Sequence, residues 1–231
     1  MDLKEYIRSI PDYPKKGILF RDITTLIKDE KAFEECINQI VEKSKNFKFN
    51  KIAAIESRGF VFASAVSYLL KKPFIMLRKK NKLPADTYSV DFELEYGTAT
   101  IEVHKDSIQK EDSVLIIDDL IATGGTAEAA AKIIEMSGGK VSGFIFVINL
   151  FDLGGLDNLR KNSYFAESII SFPGHWNSDP TLYQDFFPSI ALIVPKILAK
   201  YIFLFFALNK TVYKKKLKID LTSFPYVLYT A

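Results

Sequence analysis

The stretch VLIIDDLIATGGTAEAA, from Val114 to Ala130, constrains the fold more than any other part of the sequence. Its apolar, β-branched start predicts a strand that is buried on both faces, as in a parallel sheet. Asp118 and Asp119 follow, and a loop with paired glycines then leads into an alanine-rich helix. Because adjacent ionised carboxylates are costly to bury, we expect both to emerge at the end of the strand. A strand, a polar turn and a helix in this order form the repeating unit of an α/β fold.

Strand and helix patterns alternate along most of the chain, which predicts a mainly parallel sheet flanked by helices. Such sheets bind ligands beyond the carboxyl ends of their strands. The predicted helices are residues 2–10, 29–45, 58–70 and 126–137, and the predicted strands are residues 51–57, 73–79, 98–105, 114–118, 141–150 and 165–172.

The distribution of charge argues against a nucleic-acid-binding protein. The chain has a net charge of +3, but residues 177–231 contain seven lysines and three aspartates, so residues 1–176 are nearly neutral. A nucleic-acid footprint requires a basic stripe, which this part does not show. The single cysteine, Cys36, cannot form an internal disulfide, and no leader pattern opens the chain. We therefore expect a cytoplasmic protein with one α/β domain over residues 1–176.

The loop after Asp119 is suited to bind a phosphate group. Glycines let the backbone approach a ligand closely, and amide groups, threonine hydroxyls and a helix N-terminus direct positive partial charge at one point. Asp118 and Asp119, one loop away, can hold vicinal hydroxyls, so the two features together predict a site for ribose 5-phosphate. The alternative is that the acids cap a turn and the glycines serve chain geometry. The loop residues are Ala122, Thr123, Gly124, Gly125 and Thr126.

VLIIDDLIATGGT resembles the phosphoribosyl diphosphate signature of the type I phosphoribosyltransferases, and the segments PKKGILFRDIT, ESRGF, RKKNKLP and FELEYG resemble the adenine-specific members in the same order. The resemblance covers about residues 5–175. It implies an α/β fold with a small N-terminal hood and a homodimer. It also implies transfer of the 5-phosphoribosyl group from phosphoribosyl diphosphate to adenine, which gives AMP and diphosphate in purine salvage.

The resemblance implies three groups of substrate-binding residues. Phe20 would stack on adenine, while the backbone around Leu19 and Arg21 would read the edge of the base. Arg58 would contact the diphosphate, for which a guanidinium fork is suited; a salt bridge to Glu56 or to another local acid is the alternative. A basic run that begins in the last two residues of the strand 73–79 would neutralise diphosphate, within one subunit or across a dimer interface, although such runs are more often solvated surface. Its implicated members are Arg78, Lys79 and Lys82.

Glu95 and Tyr96 resemble residues of a mobile loop that closes over the reaction centre and excludes water. Glu95 is the candidate for proton handling at the purine, alongside Asp118, Asp119 and Arg58 as catalytic residues. The resemblance implies Mg²⁺ held mainly by phosphoribosyl diphosphate, with no dedicated protein metal site. Neither histidine, His104 or His175, has the spacing of a metal ligand.

Residues 177–231 form an extension that resembles no part of the family. Residues 190–208 are apolar apart from Pro195, Lys196 and Lys200. The free-energy cost of placing these three residues in a membrane about equals the gain from inserting the apolar ones. Contact with a membrane is therefore possible but not favoured. A partner-binding segment and a poorly packed appendage, including one from an altered reading frame, are the alternatives.

Three other functions remain open at this point. The first is transfer to guanine, xanthine or orotate instead of adenine. The second is a regulator that binds the sugar diphosphate without catalysis, and the third is a membrane-anchored interaction protein with an inactive core.

Overall fold

A seven-stranded sheet with the order β5-β6-β4-β3-β7-β8-β9 forms the centre of the protein in a computed structural model, which describes residues 1–94 and 97–174. Neighbours among β3, β4, β7, β8 and β9 run parallel, whereas β6 is antiparallel to both β4 and β5. The predicted α/β class with a mainly parallel sheet is therefore confirmed. The strands are β1 (Arg8–Pro11), β2 (Leu19–Asp22), β3 (Lys51–Ile55), β4 (Phe74–Lys79), β5 (Thr87–Leu94), β6 (Gly97–His104), β7 (Ser113–Ile121), β8 (Lys140–Leu150) and β9 (Ala166–Phe172).

Helices cover both faces of this sheet and divide the buried apolar residues into two clusters. Ile40 and Phe62 belong to the cluster on one face, and Ile133 and Phe144 belong to the cluster on the other. The strand that most constrained the prediction, β7, contributes to both clusters, as expected for a strand covered on two sides. The helices are α1 (Thr24–Ile27), α2 (Glu30–Ser44), α3 (Gly59–Leu70), α4 (Gly125–Met136) and α5 (Gly155–Lys161), with short 3-10 helices at Leu3–Tyr6 and Phe151–Leu153.

A two-stranded antiparallel sheet of β1 and β2 forms the predicted N-terminal hood. The predicted helix over residues 2–10 is wrong beyond Tyr6, because the chain becomes extended and pairs Arg8 with Asp22 and Pro11 with Leu19. The apolar pattern within β1 does not reveal this pairing, because the partner strand β2 begins eleven residues further along the chain.

Asp22 joins the two strands of the hood to the helix that follows. Its carboxylate accepts hydrogen bonds from Nε of Arg8 at 3.0 Å and from the N–H of Thr24 at 2.9 Å. The Arg8 guanidinium is the main cause that lowers the pKa of Asp22 to about 2, and the Thr24 N–H adds to the effect.

Replacing Asp22 with asparagine is expected to destabilise the protein by about 1 to 2 kcal/mol at neutral pH. Because the folded-state pKa lies below the ordinary value, the contribution is complete above about pH 4 and is lost as the pH falls towards 2. Denaturant melts of both proteins between pH 7 and 3 measure this. The difference in unfolding free energy should shrink with acid, and a constant difference would contradict the assignment.

Among the described residues, no helix is both long and apolar enough to cross a membrane. The apolar segment 190–208 and the whole extension 177–231 lie outside the described residues, as do Glu95, Tyr96 and His175.

Candidate active site

A cavity of about 470 Å³ lies at the carboxyl ends of β3 and β7. The structure brings together there Arg58, both predicted aspartates and all five residues of the predicted phosphate loop. Parallel neighbours end at the same edge of a sheet, so residues that are far apart in the sequence meet at this edge. The position is the one predicted from the order of strands and helices.

Asp118 and Asp119 are buried, which corrects the expectation that they emerge from the sheet. Strand β7 continues to Ile121, and the two residues are only 9% and 5% exposed. Oδ1 of Asp118 accepts the N–H of Asp119 at 2.9 Å. Burial raises the pKa of Asp118, and the neighbouring Asp119 charge raises it further. The fold provides backbone and guanidinium groups next to these carboxylates, which the sequence alone does not show.

Arg58 supplies the positive charge next to Asp119. Its Nε lies 3.0 Å from Oδ2 of Asp119, and its side chain is 43% exposed towards the cavity. Burial raises the pKa of Asp119, and Arg58 opposes that rise. The N–H of Arg58 Nε is not aligned with Oδ2 of Asp119 as a hydrogen bond requires. The buried Oδ2 therefore has no hydrogen-bond donor among the described residues. A buried acceptor in this state favours a ligand that donates to it.

Gly59 is required for the close approach of α3 to this pair. A β-carbon at position 59 would lie 2.5 Å from Oδ1 of Asp118 and 3.1 Å from the carbonyl oxygen of Ile117. The glycine therefore lets Arg58, which precedes α3, sit beside the acids of β7.

Phe20 lies on the hood side of Arg58. The centre of its ring is 5.5 Å from the guanidinium carbon of Arg58 and 5.1 Å from the ring of Tyr13. The contacts from Phe20 through Arg58 to Asp119 link the predicted base site with the predicted sugar site. Leu19, the first residue of β2, is buried.

The side chain of Arg21 is directed elsewhere. Its Nη2 donates to the carbonyl oxygen of Pro173 at 2.9 Å, its Nη1 donates to the hydroxyl of Ser9, and its guanidinium lies 4.3 Å from the centre of the Phe172 ring. This side chain ties the hood to the end of β9. Any contact of Arg21 with a base is therefore left to its backbone.

The phosphate loop leads directly into α4. Gly124 has a φ of +99°, which favours glycine, and α4 begins at Gly125. The first N–H groups of a helix have no partner within the helix, so they are free to bind an anion. Backbone shape and helix position therefore agree with the predicted phosphate cradle.

The start of α5 supports this loop from behind, a contact that the sequence argument missed. The N–H of Gly155 donates to the carbonyl oxygen of Ala122 at 3.0 Å, and Nδ2 of Asn158 lies 3.4 Å from the carbonyl oxygen of Thr123. A β-carbon at position 155 would lie 2.8 Å from the backbone nitrogen of Gly124. The Gly154-Gly155 pair after β8 was the available signal, but a pattern within one segment does not reveal which loop it contacts.

The basic residues at the end of β4 and just beyond it do not line the cavity described above. Arg78 is instead paired with Glu56, with Nη2 and Oε1 3.2 Å apart. Lys79 and Lys82 are exposed. Leu19, Phe20 and Arg21 of the hood do not line the cavity either. Glu95 and Tyr96 are not among the described residues.

Comparisons with known proteins agree with this arrangement. The phosphoribosyl transferase domain family matches residues 23–184. A protein of Pelagibacter ubique (strain HTCC1062), an adenine phosphoribosyltransferase, is 81% identical over 175 residues, which are 76% of this chain and all of that protein. The chain belongs to the adenine phosphoribosyltransferase family. The family's enzyme from Escherichia coli O157:H7 is 49% identical over 75% of this chain and 94% of that protein.

Solved adenine phosphoribosyltransferases share the fold. The crystal structure of the Thermoanaerobacter pseudethanolicus protein has a TM-score of 0.71 and 46% identity, covering 74% of this chain and 98% of that one. The Giardia lamblia protein, solved in complex with 9-deazaadenine, has a TM-score of 0.70 and 32% identity, covering 74% and 96%. Membership in the family thus agrees with the cavity, the buried acids and the hood.

Proposed function

We propose that this protein transfers the 5-phosphoribosyl group from phosphoribosyl diphosphate to adenine, producing AMP and diphosphate. The observation that carries the proposal is the buried, unsatisfied Oδ2 of Asp119 in the same cavity as the phosphate loop. A ribose hydroxyl supplies the donor that this oxygen lacks, and the 5-phosphate suits the loop. Among relatives, the Giardia lamblia structure with 9-deazaadenine supports adenine as the base.

The two aspartates act on the sugar during the reaction. Displacement of diphosphate at C1 develops positive charge on the ribose, and the buried carboxylates of Asp118 and Asp119 offset it. The loop from Ala122 to Thr126 anchors the 5-phosphate away from the bond that breaks. Binding energy from that remote group positions the reacting carbon, and the chain needs no covalent nucleophile.

The contacts of Arg58 support a role for it at the leaving group, next to the base. Its guanidinium lies between Asp119 and the ring of Phe20, and its exposed portion faces the cavity. We assign it to the diphosphate and Phe20 to stacking on adenine, with the backbone near Leu19 and Arg21 reading the edge of the base. Glu95 and Tyr96 are assigned to proton handling and closure on the family resemblance alone.

Mg²⁺ suits this donor set, because the unsatisfied Oδ2 of Asp119 and the substrate oxygens are hard ligands. Among the described residues, no group of three or more His, Cys, Asp or Glu side chains is placed to hold a metal ion. We therefore propose that the ion is held mainly by phosphoribosyl diphosphate and water, with Asp118 and Asp119 acting through the ribose hydroxyls. When bound, it would offset the charge on the departing diphosphate.

We also propose a homodimer in the cytoplasm. Helix α3 contains no charged residue, and Tyr68 is 84% exposed on it, next to exposed Leu69. Met76 of β4 is exposed as well. A second copy of the chain would cover such an apolar face, and sedimentation of the full chain tests this. The single cysteine, Cys36, is buried and forms no disulfide, which suits the cytoplasm.

AMP formation from adenine and phosphoribosyl diphosphate tests the proposed function directly. We propose that residues 1–176 carry the activity, so the full chain and a chain that stops after Trp176 should both produce AMP. Guanine, hypoxanthine, xanthine and orotate serve as competing bases. Diphosphate release with another base alone would change the assigned substrate, and binding of phosphoribosyl diphosphate without turnover of any base would indicate a regulator.

A further inference from the structure

The segment Arg78 to Lys82, here called the basic turn, carries four positive charges within five residues. Side chains of like charge repel one another, so a turn of this composition needs external contacts to keep one conformation. Lys79, Lys80 and Lys82 are exposed, and none of the three has an ion-pair partner in the described part of the chain. Their ammonium groups are therefore available to an anion if the backbone beneath them is fixed.

Glu56 holds the turn from the end of β3. Its carboxylate accepts hydrogen bonds from Nε and Nη2 of Arg78, both at 3.2 Å, and from the N–H of Lys79 at 3.0 Å. Nη1 of Arg78 in turn donates to the carbonyl oxygen of Lys82 at 2.9 Å. Through these four bonds, one carboxylate fixes the first residue of the turn directly and the last residue through Arg78.

Glu102 holds the middle of the turn from β6. This residue is 8% exposed, and its Oε2 accepts the N–H of Asn81 at 3.0 Å. Asn81 has a φ of +63°, a left-handed conformation that is costly for most residues other than glycine. A buried carboxylate bonded to that backbone group stabilises the conformation.

We infer that Glu56 and Glu102 are positioning residues that shape the basic turn so that Lys79 and Lys82 present their ammonium groups to the substrate diphosphate. The inference rests on the proposed function. It also changes the role of Arg78, which the sequence indicated as a diphosphate ligand. In the structure each of its guanidinium nitrogens donates to Glu56 or Lys82, so its main task is to connect the two.

The direction in which KM for phosphoribosyl diphosphate changes in a neutral variant of Glu56 distinguishes a positioning role from a simple charge effect. Glu56 is an anion at the cavity wall, where a neutral residue would reduce repulsion of the diphosphate and lower KM. If Glu56 instead fixes the basic turn, its neutral variant loses the paired bonds to Arg78 and raises KM. The hydrogen bonds from Arg78 hold the pKa of Glu56 below its ordinary value, so this acid is ionised at neutral pH.

Steady-state kinetics of the full-length Glu56→Gln variant test the inference. We expect KM for phosphoribosyl diphosphate to rise about tenfold, with KM for adenine within about twofold of the unchanged protein. Arg78→Lys keeps the charge but loses the paired N–H groups, so it should give the same pattern. Glu102→Gln keeps an acceptor for Asn81, so its KM should stay close to normal, whereas Glu102→Ala should raise it.

Glu167→Gln is the matched control. Glu167 accepts hydrogen bonds from Lys43 at 2.8 Å and from Asn46 at 3.0 Å, away from the cavity. The Glu167→Gln variant therefore loses a comparable ion pair, and its KM for phosphoribosyl diphosphate should be unchanged. A lower or unchanged KM for phosphoribosyl diphosphate in both Glu56→Gln and Arg78→Lys, with AMP still formed, would overturn the positioning role alone. Failure of the unchanged protein to form AMP would overturn the proposed function and this inference with it.

Discussion

Asp119→Asn is expected to lower kcat/KM for phosphoribosyl diphosphate by about 100-fold, because it removes a charged acceptor from the sugar site. Oδ2 of Asp119 is buried, lies 3.0 Å from Nε of Arg58 and has no hydrogen-bond donor among the described residues. A ribose hydroxyl bonded to this oxygen gains a charge-assisted hydrogen bond, and the carboxylate also offsets the sugar cation. Asparagine keeps the shape but provides neither effect in full.

The variant also releases Arg58, which loses its anionic partner. Asp119→Asn should therefore weaken the transition state more than the ground state, and kcat should fall together with kcat/KM. Initial rates of AMP formation at saturating adenine measure both constants.

Asp112→Asn provides the control for this experiment. Asp112 is another buried aspartate next to β7, and its Oδ2 lies 2.7 Å from Nζ of Lys51, at the opposite end of the strand from the cavity. Its replacement should lower the unfolding free energy and leave kcat/KM unchanged. Equal losses of kcat/KM in the two variants would show that Asp119 acts through stability and would contradict its role at the sugar.

Gly155→Ala is expected to raise KM for phosphoribosyl diphosphate by about 10 to 100-fold, with a much smaller change in KM for adenine. The added β-carbon would collide with the carbonyl oxygen of Ala122 and lie 2.8 Å from the nitrogen of Gly124. Both neighbours are backbone atoms, which cannot rotate away as a side chain can. The phosphate loop must shift, and its amide groups then no longer converge on the 5-phosphate.

Gly154→Ala is the control for that variant. Gly154 has a φ of +72°, so alanine costs about 1 to 2 kcal/mol of stability, but no atom lies within 4 Å of the new β-carbon. Thermal melts should show that Gly154→Ala is destabilised, while its KM for phosphoribosyl diphosphate stays normal. A normal KM for Gly155→Ala would show that α5 does not position the loop.

Much of the fold follows from patterns that act within one segment. The apolar start of β7, the spacing of Ile37 and Ile40 on α2, and the glycine loop before α4 each predict their element. The succession of β7, the glycine loop and α4 also predicts the edge of the sheet where the cavity lies. Antiparallel β5 and the short helix α5 were not predicted, because a half-exposed strand and a seven-residue helix carry weak periodic signals.

The details of the site depend on contacts between distant segments, which one sequence does not display. Asp118 and Asp119 lie at the predicted edge of the sheet, where they line the cavity, but they are buried and were expected at the surface. The sequence does not show that Arg58 and backbone groups lie next to them. Arg78 was assigned to diphosphate from the family resemblance, whereas its bonds to Glu56, 22 residues away, decide its geometry. Arg21, similarly, meets Pro173 across 152 residues.

A crystal structure of the full chain with phosphoribosyl diphosphate, Mg²⁺ and an unreactive adenine analogue tests the central claim most directly. The account predicts that the ribose hydroxyls lie within hydrogen-bond distance of Asp118 or Asp119, and that the 5-phosphate contacts the amides of residues 123–126. A sugar bound elsewhere, with the 5-phosphate away from that loop, would contradict it.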